Sequence, residues 1–157
     1  MISSFTGEYS FLSNFHKVNI HNPIVDIFFD KPHIYPSVEH AYQAAKTHDI
    51  NERMQISLAA TPGIAKKLGS KVNLREDWDQ VKIQIMYNLV SEKFKKKSLR
   101  EKLLATQPHF LCEGNYWHDN FWGYCECEKC RKIPKQNHLG QILMKVRDQI
   151  WTCTNTF

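Results

Sequence analysis

The stretch Tyr35-Pro36-Ser37-Val38-Glu39-His40-Ala41-Tyr42-Gln43-Ala44-Ala45-Lys46 constrains this chain more than any other, because it specifies a helix and places polar chemistry along one side of it. Ser37 is a good N-cap, its hydroxyl able to accept from a backbone N–H that has no partner within the helix, and the alanine-rich run behind it has high helix propensity. Val38, Ala41, Tyr42 and Ala45 recur at i, i+3, i+4 and i+7 and predict a core-facing stripe. Glu39, Gln43 and Lys46 then share an adjacent polar face, because residues three or four apart stand over one another. The positive end of the helix dipole favours an ionised carboxylate at Glu39, in the first turn. That suits a base or a cation stabiliser better than an acid. The plainer reading is that Glu39 only complements the dipole.

A chain of 157 residues suits a single domain over residues 1–157, large enough to bury about two thirds of the surface its unfolded form exposes. With 42% hydrophobic and 24% charged residues the composition excludes disorder, collagen and a long coiled coil. The net charge of +5 comes partly from Lys93, Lys95, Lys96 and Lys97, expected as a solvated cluster at the end of a helix. Such a field weakly favours phosphorylated ligands or nucleic acid without choosing between them. The amino-terminal Met1-Ile2-Ser3-Ser4-Phe5 lacks the basic and apolar regions of a signal peptide, and no apolar run is long enough to span a bilayer. A cytoplasmic protein with no membrane partner is expected. Five cysteines, three of them in Cys125-x-Cys127-x-x-Cys130, point to free thiols or metal ligation rather than a disulfide framework.

Along the chain, residues 2–15 read as a short strand and a loop, and Pro23 to Asp30 as a β-branched and aromatic strand leading through Ile34 and Tyr35 into the central helix. Asn51 to Ala60 reads as helix. Thr61 as N-cap and Pro62 at the first helical position predict a short helix closed by Gly69. Asn73-x-x-Glu76 resembles a capping box opening a long helix to about Phe94, with Trp78, Val81, Ile85 and Leu89 on one side. Ser98-x-x-Glu101 predicts another helix start, and residues 109–113 a strand. Leu139, Ile142, Leu143, Val146 and Ile150 mark a final amphipathic helix. The expected class is α+β, predominantly helical with a small β-sheet, since strands do not alternate regularly with helices.

The segment Glu113 to Tyr124 crowds Tyr116, Trp117, Phe121, Trp122 and Tyr124 around Asp119 with no regular period. Aromatic rings in such a loop can stack on a base, each worth about 1–3 kcal/mol in single-strand binding proteins. Apolar surroundings at Asp119 and a helix start at Glu39 would divide two carboxylates between different roles. Hydrolysis of an N-glycosidic bond needs that division, because one carboxylate stabilises positive charge on the ribose while a second group serves the departing nitrogen. The alternative is a core loop in which Asp119 caps a turn. Asn14 likewise offers an amide to a ribose or base edge, or else closes an Asx-turn on its own backbone.

Taken together, Gly7-Glu8-Tyr9 with Leu12-Ser13-Asn14-Phe15, the Tyr35–Lys46 stretch, Thr61-Pro62 with Ala65-Lys66, Asp77-Trp78, Met86, Lys93-Phe94, Asp119 with Trp122-Gly123, and Asn137-His138-Leu139-Gly140 running into Leu143-Met144-Lys145-Val146-Arg147 resemble the NADAR, or YbiA-like, family over nearly the whole chain. The resemblance implies an N-glycoside hydrolase acting on a ribosyl compound: ADP-ribose attached to guanine, with nucleic acid as the carrier, or a ribosylamino-pyrimidine phosphate of riboflavin synthesis. It implies catalytic roles for Glu39 and Asp119. Substrate contacts are implied for Asn14, Phe15, Lys46, Trp78, Trp122, Gly123 and Asn137, and no cofactor is required. A non-catalytic module binding ADP-ribose or modified nucleic acid is the alternative. The departure from the family pattern is Cys125-x-Cys127-x-x-Cys130, a set able to hold a structural zinc with Cys112, His118 or His138 as fourth ligand, or to remain buried thiols.

Overall fold

The computed structural model describes residues 1–21 and 33–155, and the expected strand Pro23–Asp30 lies outside them. The chain divides into two compact units, one of residues 14–93 and one of residues 1–13 with 94–157.

In the unit of residues 14–93, β1 (Ile20–His21) pairs antiparallel with β2 (Ile34–Tyr35), setting Ile20 against Tyr35, both fully buried. Helix α1 (Val38–Ala44) begins where expected: Ser37 has extended backbone and its hydroxyl accepts from the His40 N–H. Helix α2 (Ile50–Ser57) is capped by Asp49, which accepts from the Asn51 and Glu52 N–H groups. Helix α3 (Pro62–Gly69) has Thr61 as its cap and Pro62 in the first turn. Helix α4 (Trp78–Lys93) closes the unit. Because α2, α3 and α4 all pack on α1, the whole of α1 is buried and not only the predicted stripe. Its polar residues therefore need partners inside the protein. His40 illustrates this. Its Nε2 lies 3.0 Å from the Ala59 carbonyl, so that nitrogen carries the proton and donates. Nδ1 is then the acceptor for the Ser37 hydroxyl at 2.7 Å. Burial lowers the imidazole pKa, opposed by the bond to Ala59.

The capping box at Asn73 and Glu76 does not form. The Asn73 N–H is taken by the Glu52 carboxylate at 3.0 Å, and Arg75 grips the Asp77 side chain at 2.6 and 2.8 Å. The helix opens only at Trp78, with the Asp77 carbonyl receiving the Gln80 and Val81 N–H groups. Lys93 is not part of the solvated cluster expected there: it is 1% exposed, and burial pushes its pKa down to about 7. Lys95, Lys96 and Lys97 are exposed, as expected.

In the other unit, Ile2 bridges in parallel to Leu111, and a 3-10 helix runs Gly7–Leu12, where a strand and loop were expected. The strand expected over residues 109–113 shrinks to that one bridge. Helix α5 (Lys97–Leu104) has Lys96 rather than a capping side chain at its start, which leaves Ser98 inside the first turn. It packs on α6 (His138–Asn155), whose Leu139, Ile142, Leu143 and Val146 are buried. Buried Arg147 of α6 donates through Nη1 to the Thr106 hydroxyl at 2.9 Å and the His109 carbonyl at 2.8 Å. Two dipeptide strands, β3 (Gly114–Asn115) and β4 (Tyr124–Cys125), pair in parallel. Among the described residues the small sheet of the expected α+β fold is thus two two-stranded pieces among helices. Among the described residues no helix is long and apolar enough to cross a membrane.

Candidate active site

Helix α1 builds the first cluster. Glu39 is 6% exposed, and its Oε1 accepts from Gln43 Nε2 at 2.7 Å, one turn along the same face. The Glu39 N–H donates to the Asn14 carbonyl at 3.1 Å, fixing the segment before β1 against the start of α1. Asn14 is itself buried. Its Nδ2 faces Met86 Sδ at 3.4 Å, while Oδ1 finds no hydrogen-bond partner among the described residues, so the amide does not close an Asx-turn. A buried acceptor without a partner costs stability, a cost that an ordered water or a ligand donor removes. Phe15 beside it is 45% exposed.

Lys46 lies just past the end of α1, half-buried, with Nζ 5.8 Å from the Tyr42 ring centre and 5.9 Å from that of Trp78. Desolvation lowers its pKa, the Glu39 carboxylate opposes that, and Lys66 adds to it. Tyr42 and Trp78 pack at 5.1 Å with their planes tilted by 54°. Trp78 is 7% exposed, so most of its ring is spent on Tyr42 and the core rather than offered as a stacking platform. The Arg75 N–H donates to the Lys46 carbonyl at 2.8 Å, and Arg75 with Asp77 lines a polar cleft of about 540 Å³ shared with Thr47, His48 and Asn73. Sequence reading passed over Arg75, whose guanidinium is fixed by Asp77 only two residues on.

The second cluster is in the other unit. Asp119 follows β3, and its Oδ1 accepts from the Phe121 and Trp122 N–H groups at 3.1 and 2.8 Å, closing a turn. Asn115 reinforces it from both ends, donating to the Asp119 carbonyl at 2.7 Å and accepting from the Asp119 N–H at 3.2 Å. Trp122, Phe121 and His138 form an aromatic cluster, with Phe121 edge-on to Trp122 at 4.9 Å and tilted against His138 at 4.5 Å. Gly123 lies where a Cβ would come within 2.4 Å of the Glu113 carbonyl. Asn137, with a left-handed φ of 47°, spends its amide on backbone, accepting from the Glu113 N–H at 3.1 Å and donating to the Leu111 carbonyl at 2.9 Å. Of the residues expected from sequence, Asn14, Glu39, Lys46 and Trp78 thus gather around α1. Asp119, Trp122, Gly123 and Asn137 gather around the loop between β3 and α6.

The cysteine motif contributes a third group. Cys125, Cys127 and Cys130 come together with His118, every ligand atom within 4.8 Å of every other, and this set can hold a metal ion. Cys112 and His138 are not in it. His138 Nε2 is paired with Gln136 Oε1 at 2.7 Å, and burial, with Glu126 and Glu113, raises the Cys112 thiol.

Residues 3–151 match the NADAR domain family. The chain belongs to the NADAR family. The N-glycosidase Npun_R5314 of Nostoc punctiforme is 41% identical over 148 residues, spanning 90% of this chain and 86% of its own length. The N-glycosidase YbiA of Escherichia coli is 34% identical over 119 residues, 74% of this chain and 71% of its own. The solution structure of the E. coli protein YbiA superposes with a TM-score of 0.77 at 31% identity, covering 98% of this chain and 84% of that one. A chloroplastic riboflavin biosynthesis protein of Zea mays, PYRR, is 33% identical over 129 residues, which make up 20% of its length. The chain therefore shares the fold of YbiA, predominantly helical, with two small sheets among the described residues.

Proposed function

We propose that the chain is an N-glycosidase that hydrolyses an N-ribosyl bond, with Glu39 as the carboxylate that chemistry depends on. The observation that carries this is the buried Glu39 carboxylate, oriented by Gln43, with the Lys46 cation and the partnerless Asn14 Oδ1 on the same helix-centred cluster. As the bond to nitrogen breaks, positive charge develops on the ribose ring, and a fixed carboxylate in a poorly solvated site stabilises it or orients the attacking water. Asn14 Oδ1 accepts from a ribose hydroxyl, which removes the cost of leaving it buried and bare. Lys46 pairs with a phosphate, which fits the phosphorylated ribosyl compounds that the family resemblance implies. The reading requires no redox cofactor and gives the thiolate cluster no part in bond cleavage.

Two substrates make the test: a ribosylamino-pyrimidine phosphate of riboflavin synthesis, and guanine-linked ADP-ribose on a nucleic acid. Mass spectrometry after incubation is expected to show free ribose phosphate from the first or free ADP-ribose from the second. Binding with both ligands intact after long incubation would favour a non-catalytic reader instead. Asp119 has its own arm of this experiment. Asp119→Asn keeps the Oδ1 acceptor, and with it the turn, and removes only the charge. Turnover lost at unchanged melting temperature assigns the charge to the reaction. Turnover retained returns Asp119 to the architecture of its loop.

A further inference from the structure

We propose that His118, Cys125, Cys127 and Cys130 bind one zinc ion in a closed structural site that clips the Asp119–Trp122 turn to β4 and to the 3-10 helix Glu128–Cys130. Three thiolates and an imidazole are the donor set that selects zinc, and bond lengths of about 2.3 Å to sulfur and 2.0–2.1 Å to nitrogen place tetrahedral ligand atoms about 3.5–3.8 Å apart. His118 Nδ1 already lies 3.2 Å from Cys127 Sγ and 3.3 Å from Cys130 Sγ, and the widest separation in the set is 4.8 Å. Small side-chain movements suffice to seat the ion.

The backbone is built for the same end. His118 has a left-handed φ of 69°, an uncommon conformation for a residue with a Cβ, and its ring nitrogen lies beside the Cys127 and Cys130 sulfurs. Cys125 is fixed in β4 opposite Asn115, and the Cys130 N–H donates to the Cys127 carbonyl at 3.0 Å, closing a tight turn between two of the ligands. Cys125 and Cys130 are buried, Cys127 is partly exposed and His118 faces solvent, so the ion has an entry side. With four protein ligands there is no open position for water or substrate, which makes the site structural rather than catalytic.

Its consequence for the loop follows from connectivity. His118 is the residue before Asp119, and Asn120 Oδ1 accepts from the N–H of the ligand Cys125 at 3.1 Å. Fixing the four ligands therefore fixes both sides of the turn that Asp119 closes. The chain from Asn115 to Asn137 contains only dipeptide strand and one turn of 3-10 helix, and its ordering cost is met by the metal–ligand bonds.

Elemental analysis of protein purified without a metal column or added metal is expected to find about one zinc per chain. His118→Ala and Cys130→Ser should each lose it, while Cys112→Ser should keep it. Zinc well below one per chain in the unaltered protein, or loss of zinc in Cys112→Ser, would overturn the assignment. Should the ligand variants fail to fold, the unaltered protein still decides: stripped of metal and refilled with cobalt, it should show thiolate-to-cobalt charge transfer and tetrahedral visible bands, and their absence sinks the site. Chelation should also open residues 116–136 to limited proteolysis while the far-ultraviolet helix signal stays constant. Unchanged cleavage there after the metal is removed would refute the clip.

Discussion

Glu39→Gln is expected to fold normally and to lose at least about a hundredfold in turnover, the scale of a lost charged catalytic group. The substitution is nearly isosteric, and the new amide oxygen can still accept from Gln43 Nε2, so the one-turn contact along α1 survives. What disappears is the negative charge facing the developing cation. A second signature separates this from simple misfolding. Glu39 is the partner that holds the Lys46 pKa up against desolvation, so in the variant Lys46 loses its proton at a lower pH than in the parent. Substrate binding through the Lys46 cation should then fall off earlier on the alkaline side, seen as a rise in KM that begins at lower pH. Full turnover in a folded Glu39→Gln protein would remove Glu39 from the reaction.

The parts of the fold that were legible in the sequence are those decided within one turn of chain. Ser37 and Thr61 cap because each hydroxyl reaches an N–H three residues on, and nothing distant competes. The box at Asn73 and Glu76 has the same local pattern and fails because Glu52, 21 residues earlier, reaches the Asn73 N–H first. Lys93 misled for a related reason. Its place at the end of a helix predicts a solvated cation, but exposure is set by what packs on that end, and the residue is buried.

Around the candidate residues, local contacts were legible and longer-range ones were not. Glu39 and Gln43 pair as helical spacing requires. Asn137 and Gly123 stood out as family motif residues, yet their contacts here are to backbone, holding β3, β4 and the start of α6 together. The cysteine spacing announced three ligands but left Cys112, His118 and His138 equal as the fourth. The choice of His118 rests on its ring nitrogen lying 3.2 and 3.3 Å from the Cys127 and Cys130 sulfurs, and on the Gln136 side chain occupying His138, neither of which spacing encodes.

Gly69 ends α3 as expected, and its replacement is the second large expected effect. As the last residue of a short helix it looks like a left-handed stop. In the structure it is helical, followed by Ser70 in right-handed conformation, so backbone freedom is not what glycine supplies. It supplies a gap: a Cβ there would lie 2.0 Å from Gln43 Oε1 and 2.8 Å from Gln43 Cβ and Cδ. The amide end can rotate away, but Gln43 is 3% exposed and has little space to enter, and its Cβ belongs to the buried helix α1. Gly69→Ala must therefore push α3 off α1 or turn Gln43 away from Glu39. Overpacking of this kind costs about 1–3 kcal/mol, and loss of a hydrogen bond to a charged group about 1.5–3 kcal/mol. At roughly 2–4 °C per kcal/mol for a chain of this size, either cost alone lowers the melting temperature by about 2–12 °C, with turnover reduced where Glu39 loses its orienting partner. The cause is checked by adding Gln43→Ala to Gly69→Ala. If the clash is with Gln43, the double variant melts above Gly69→Ala alone and their effects are strongly non-additive, whereas additive losses would mean that Gly69 matters for another reason.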